Sequence, residues 1–193
     1  MALIKLNATQ GLTGTLPAVS GANLTNIDGG KILQVVQTNY TTATSMSFSG
    51  NTVTDITGVT VNITPSATSS KIFVMCRVMV ECGGGVEIEN SMIGLKRGST
   101  EVGGVSQTGS NRNYGITLFS IGYYGQNNND TPEVASFHYL DSPNSTSEQT
   151  YKATFRHEGS GTLYINRTVQ DNDASNKERG TCNITVMEVG AWL

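Results

Sequence analysis

The sequence predicts an all-β fold, a jelly-roll-like antiparallel β-sandwich preceded by an extended amino-terminal arm. Three observations carry that expectation. Only 14% of the 193 residues are charged, and Thr, Ser, Asn and Gly supply most of the polar remainder. Short polar side chains compete for backbone hydrogen bonds, which disfavours helices and suits turns and strand surfaces. Apolar residues alternate with period two along several short runs, and clusters of Gly, Pro, Asn and Asp separate those runs, with no amphipathic helix between them.

The chain divides into an arm, residues 1–30, and a sandwich domain, residues 31–193. In Gly11-Leu12-Thr13-Gly14-Thr15-Leu16-Pro17-Ala18-Val19-Ser20-Gly21-Ala22-Asn23-Leu24-Thr25-Asn26-Ile27 the apolar residues recur every three or four positions. Glycine and proline at these positions defeat a helix. An extended segment that buries Leu12, Leu16, Pro17, Leu24 and Ile27 against a partner is the expectation, since a solvated linker needs no such apolar content.

From Lys31 the pattern becomes that of strands. Lys31–Thr38 is a compact β-prone run, and Thr52–Thr64 follows with Val59, Val61 and Ile63 on one face. Pro65–Ser70 reads as a turn. Lys71–Glu81 carries the strongest signal, with Ile72, Val74, Cys76, Val78 and Val80 pointing one way and Phe73, Met75, Arg77 and Met79 the other. A strand apolar on both faces belongs in the middle of a sheet, its second face covered by another layer or subunit. Val86–Lys96, Tyr114–Tyr124, Glu133–Leu140, Gln149–Arg156, Thr162–Thr168 and Thr181–Val189 complete the predicted strands. Gly- and Ser-rich loops to Asn113, Gly125–Asp130 and the Asp141-Ser142-Pro143-Asn144 turn divide them.

Composition excludes several function classes. The net charge is −3 and no basic cluster occurs, whereas a nucleic-acid groove needs several cations on one face. No run approaches the ~20 apolar residues of a membrane span. The amino terminus lacks signal-peptide architecture, so the Asn-x-Ser/Thr triplets read as Asn/Thr richness in a protein made in a cytoplasm. Cys76, Cys82 and Cys182 are odd in number and lack metal-ligand spacing, which points to small buried reduced hydrophobes.

The chain also lacks the arrangements that carry catalysis. His138 and His157 belong to no nucleophile motif, and no Gly-x-Ser-x-Gly elbow occurs. Glu87 with Glu89, and Asp171 with Asp173, share a strand face, but an acid/base pair must face across a cleft. Asp171-Asn172-Asp173 resembles part of a calcium loop without its Gly or distal Glu, and Gly83-Gly84-Gly85 lacks the Lys-Ser/Thr of a phosphate cradle. No enzyme activity, cofactor or metal is expected.

Two stretches resemble a known group of proteins. GLTGTLPAVSGANLTNI is similar to linker segments that precede distal domains in phage head-fibre and tail-fibre proteins. KILQVVQT through VNITPSATSSKIFVMCRVMV resembles the globular domain of virion proteins from tailed phages, marine ones especially, and CNITVMEV resembles the last strand of those domains. The resemblance implies a virion component assembled in the host cytoplasm. It implies a homotrimer whose arm binds the major capsid protein or another virion protein, with the β-domain outward. Two exposed loops, Gly98–Asn113 and Gly125–Thr131, then become candidate contacts for a host surface glycan, with Arg112, Tyr114, Tyr123 and Tyr124 as the residues to make them. A secreted trimeric ligand of tumour-necrosis-factor or complement type is disfavoured by the absent disulfides.

Overall fold

The computed structural model describes residues 32–83, 86, 88–104, 112–119 and 131–190. The chain forms two units, residues 1–30 and 31–193. The first unit, with Leu12, Leu16, Pro17, Leu24 and Ile27, lies outside the described residues.

The second unit is an antiparallel β-sandwich. Its strands are β1 (Ile32–Tyr40), β2 (Thr44–Phe48), β3 (Thr54–Ile63), β4 (Lys71–Gly83), β5 (Ser91–Arg97), β6 (Thr100–Val102), β7 (Glu133–Asp141), β8 (Gln149–His157), β9 (Gly161–Ile165) and β10 (Cys182–Val189). The larger sheet holds β1, β2, β4, β7, β9 and β10, and the smaller runs β3-β8-β5-β6. Every pairing is antiparallel.

Strand β4 organises the larger sheet. One edge pairs with β7 from Ile72 to Val80. The other edge is divided end to end, with β10 along Lys71–Arg77 and β9 along Val80–Gly83. β1 then adds outside β10, and β2 outside β9. At the joint the Met79 backbone would lack partners, and an unpaired buried peptide group is costly. Its carbonyl instead accepts the Asn166 N–H at 3.0 Å, and its N–H points to the Cys182 sulfur at 3.2 Å. Asn166 takes up this position at a φ of 63°, which Asn tolerates better than most residues, and its amide donates to the carbonyls of Tyr40 and Thr42.

The expected alternation holds on β4. Ile72, Val74, Cys76, Val78 and Val80 are buried, as are Val59, Val61 and Ile63 on β3. They meet Tyr151, Ala153 and Phe155 of β8 and Ile93 and Leu95 of β5 in one core. The three cysteines are free and buried within it. β3 reaches Val59 through an irregular register between Asp55 and Thr60, where Gly58 sits at a φ of 78° against the Tyr40 ring. A side chain there would be strained and would also collide with that ring.

Three sequence expectations need correction. Val86–Lys96 is not one strand, because a 3₁₀ turn at Ile88–Asn90 precedes β5. Tyr114–Phe119 makes only an isolated bridge at Thr117, and residues 120–124 lie outside the described residues. The Thr162–Thr168 run ends at Ile165, where the left-handed Asn166 turns the chain away. Two strands went unrecognised: β2, since Thr44–Phe48 holds only two large apolar residues, and β6, since Thr100–Val102 lies within the expected Gly98–Asn113 loop and gains its strand form by pairing with β5.

Polar groups close the sandwich at one end. Glu188 on β10 is almost wholly buried, and its carboxylate accepts from the Ser66 N–H and Oγ and the Ser70 Oγ at 2.6–2.7 Å, with Gln34 Nε2 at 2.6 Å on the second oxygen. Burial alone would raise its pKa, but the four donors outweigh it and hold the carboxyl down at about 2. Buried Asp141 ties the sheets together, accepting from Arg97 of β5 at 2.6 Å and the Tyr151 hydroxyl of β8 at 2.7 Å. A carboxylate depressed in the fold contributes stability above its unfolded pKa and loses it as the pH falls towards the folded value. Denaturant titrations should therefore show stability falling by roughly 2–3 kcal/mol from this group as the pH drops from about 4.5 to about 2. Glu188→Gln should lose stability at pH 7 and show a flatter acid limb.

Candidate interaction surface

Three surfaces of the sandwich domain present side chains that the core does not use. The first is the outer face of the larger sheet. Register aligns Val35, Met187, Phe73 and Leu140 in one row across β1, β10, β4 and β7. The next row is Gln37, Thr185, Met75 and His138, and the third is Asn39, Asn183, Arg77 and Ser136. Gln37 donates to the Thr185 hydroxyl at 2.8 Å, and Phe73 lies 5.9 Å from the His138 ring. The second row and, from the third, Asn183, Arg77 and Ser136 line a shallow depression of about 390 Å³. Among the described residues no second layer covers these rows, although the sequence calls for one. Farther along β4 the loop 166–181 does cover the same face, with Gly180 against Met79 and the Val169 N–H donating to Glu81 at 2.6 Å.

The loop 166–181 is the second surface. Its base closes through a Gly180 N–H to Asn166 carbonyl bond and a bridge between Arg167 and Arg179. Arg179 grips Asp171 through two nitrogens at 2.9 and 2.7 Å, and Arg167 approaches it at 3.6 Å while lying over the Tyr164 ring. These guanidinium groups hold the Asp171 carboxyl below its ordinary range. Asp171 is thus committed to two cations, the opposite of a calcium ligand. Beneath the loop, Glu81 is buried with one carboxylate oxygen unpartnered, and burial raises its pKa.

The third surface lies on the smaller sheet. Lys96 and Lys152 stand directly opposite each other, and Asp55 reaches both at 2.9 Å, which relieves their repulsion. Beside them the segment 112–119 runs along the edge of β5. The Ile93 carbonyl accepts from Ile116 at 2.7 Å, Phe119 is buried, and Gly115 passes so close to Ile93 that a Cβ would strike its carbonyl. Tyr114 packs over the Arg156 guanidinium at 4.3 Å, and Asn113 accepts from Arg156 at 3.2 Å while donating to the Asn90 carbonyl at 2.8 Å.

Of the four loop residues expected to face outward, Arg112 and Tyr114 sit on this segment, while Tyr123 and Tyr124 lie outside the described residues. One face of the Tyr114 ring is occupied by Arg156 and is closed to a ligand. His157 is buried, stacks on Phe155 and accepts the Gly159 N–H at 2.8 Å, a structural role. Glu87 lies outside the described residues, and its partner Glu89 sits in the 3₁₀ turn. Among the described residues no three His, Cys, Asp or Glu side chains are grouped to hold a metal ion, and no helix is long and apolar enough to cross a membrane.

Sequence reasoning found Phe73 through alternation on β4 but missed the row it completes. Val35, Met187 and Leu140 join it only through cross-strand register, which no single strand reveals. Comparison of the chain with models of known protein families gives no match, and comparison with curated proteins gives none either. Because Tyr114 shields a mostly buried guanidinium, Tyr114→Ala should cost about 1 kcal/mol in urea unfolding. An unchanged midpoint would mean that the stacking contributes nothing.

Proposed function

We propose that this chain is a non-enzymatic structural subunit of a bacteriophage particle, a homotrimeric capsid-decoration or short-fibre protein. In this reading a jelly-roll-like domain faces outward and residues 1–30 attach it to the major capsid protein or another virion protein. The observation that supports it best is the uncovered apolar row of Val35, Met187, Phe73 and Leu140. A sheet face of this kind suits a protein that works by association. The resemblance of the arm and of the β4 region to phage virion proteins supplies the setting.

The work of such a subunit is mechanical. Burial of Leu12, Leu16, Leu24 and Ile27 in a groove on the particle yields on the order of 1.5–3 kcal/mol per large side chain before ordering costs. Three arms on one trimer add avidity, because the second and third bind at high effective concentration. Deletion of residues 1–27 should abolish binding to particles and leave the oligomer folded, as read by co-sedimentation with particles and by circular dichroism. Binding equal to that of the full chain would rule out anchoring by the arm. Gold labelling on intact particles then separates head from tail.

A second reading is a tail-associated receptor- or glycan-binding module, favoured by Arg112 and Tyr114 on one surface segment. A glycan array should then register binding that Tyr114→Ala and Tyr123→Ala each weaken at least tenfold. Silence across the array would leave the anchoring role alone.

A further inference from the structure

We infer that the outer face of the larger sheet is the surface through which copies of this chain pack on one another, with Val35, Met187, Phe73 and Leu140 at its centre. This deepens the association reading above and rests on it. Five large hydrophobic residues among the described ones are strongly exposed, and four of them, Ile32, Leu33, Val35 and Leu140, belong to β1 and β7. Val35 is 55% and Leu140 51% exposed, at opposite ends of the same row, while Met187 and Phe73 between them are half-buried. Isolated exposed apolar residues are ordinary, but a contiguous row across four strands marks an interface.

The size of the face suits a protein partner. Four strands at ~4.8 Å spacing and seven residues at ~3.4 Å rise give a flat footprint on the order of 450 Å². Two such faces together bury on the order of 900 Å², close to the ~1,000 Å² in total at which specific association begins. Its chemistry suits a second copy in particular. Gln37, Asn39, Thr185, Asn183 and Ser136 are neutral, and Arg77 is the only full charge in the three rows. The apolar row itself carries no charge, and Arg77, two rows away, donates to the Thr181 carbonyl at 3.1 Å, so the row can pack on its own kind as the charge-poor centres of protein interfaces do.

The test is sedimentation equilibrium of the full chain, of Val35→Asp/Leu140→Asp, and of Leu118→Asp as a control. Leu118 is 61% exposed and lies on the segment beside the smaller sheet, so its variant should keep the wild-type mass. The wild type should have the mass of three chains. The double variant should dissociate at least 100-fold more readily while keeping its far-ultraviolet circular dichroism, since both residues are exposed and their loss opens no cavity. A wild-type dimer dispersed by the same variant would support this surface and overturn the trimer. A trimer indifferent to the double variant would overturn the surface and leave the trimer standing. A wild-type monomer at all concentrations would overturn both, leaving anchoring to the truncation experiment. A monomer whose binding to particles is lost in the double variant would assign the face to a different virion protein, against this inference.

Discussion

The sandwich depends on the backbone hydrogen bonding of β4. This strand is long enough to take β7 on one edge and two strands in succession on the other. The joint between β9 and β10 is the weak point of such an arrangement, because a strand edge without partners is tolerated only where water can reach it. Asn166 and Cys182, the residues that immediately end β9 and begin β10, fill it. The loop 166–181 between them therefore leaves and re-enters the sheet at neighbouring points, and it can fold as a closed excursion over Met79 and Glu81 without disturbing the sheet order.

Buried charge is treated in two contrasting ways. Glu188 and Asp141 are surrounded by donors, and each ties elements that are distant in sequence, Ser66 and Ser70 to β10 and the smaller sheet to β7. Such groups orient the fold, since a slip in register would strand a carboxylate without partners. Glu81 differs, with one oxygen satisfied by Val169 and the other unpartnered. Burial raises its pKa, and the Val169 N–H bond from the loop offsets part of that cost.

Much of the fold was legible in the sequence because alternation is a local property. β3, β4, β8 and β10 each bury one set of alternate apolar residues, and each was visible from its own residues. The Tyr114–Phe119 part of the predicted Tyr114–Tyr124 run failed for a physical reason. Ile116 and Phe119 are apolar, but close passage of Gly115 over Ile93 fixes the segment as an edge-hugging loop, and a single bridge replaces a ladder. β2 escaped because its residues gain strand structure from β9 and from Phe48 packing on Phe155, not from their own pattern. The candidate surface was half legible. Two-faced apolarity of β4 announced a covered face, but its extent is a property of four strands in register, and Met187 and Leu140 carry no signal of it alone.

The three thiols give the domain a built-in clock. Cys76, Cys82 and Cys182 are enclosed by the core, and burial pushes the Cys82 thiol up to about 12 and raises the other two. A thiol that cannot ionise neither attacks disulfides nor yields readily to oxidants. The folded protein thus carries cysteine through oxidising surroundings without scrambling, and its sulfur chemistry begins only when the strands part. Where an alkylating reagent outpaces reclosing, the rate at which it consumes these thiols is then the rate at which the sandwich opens.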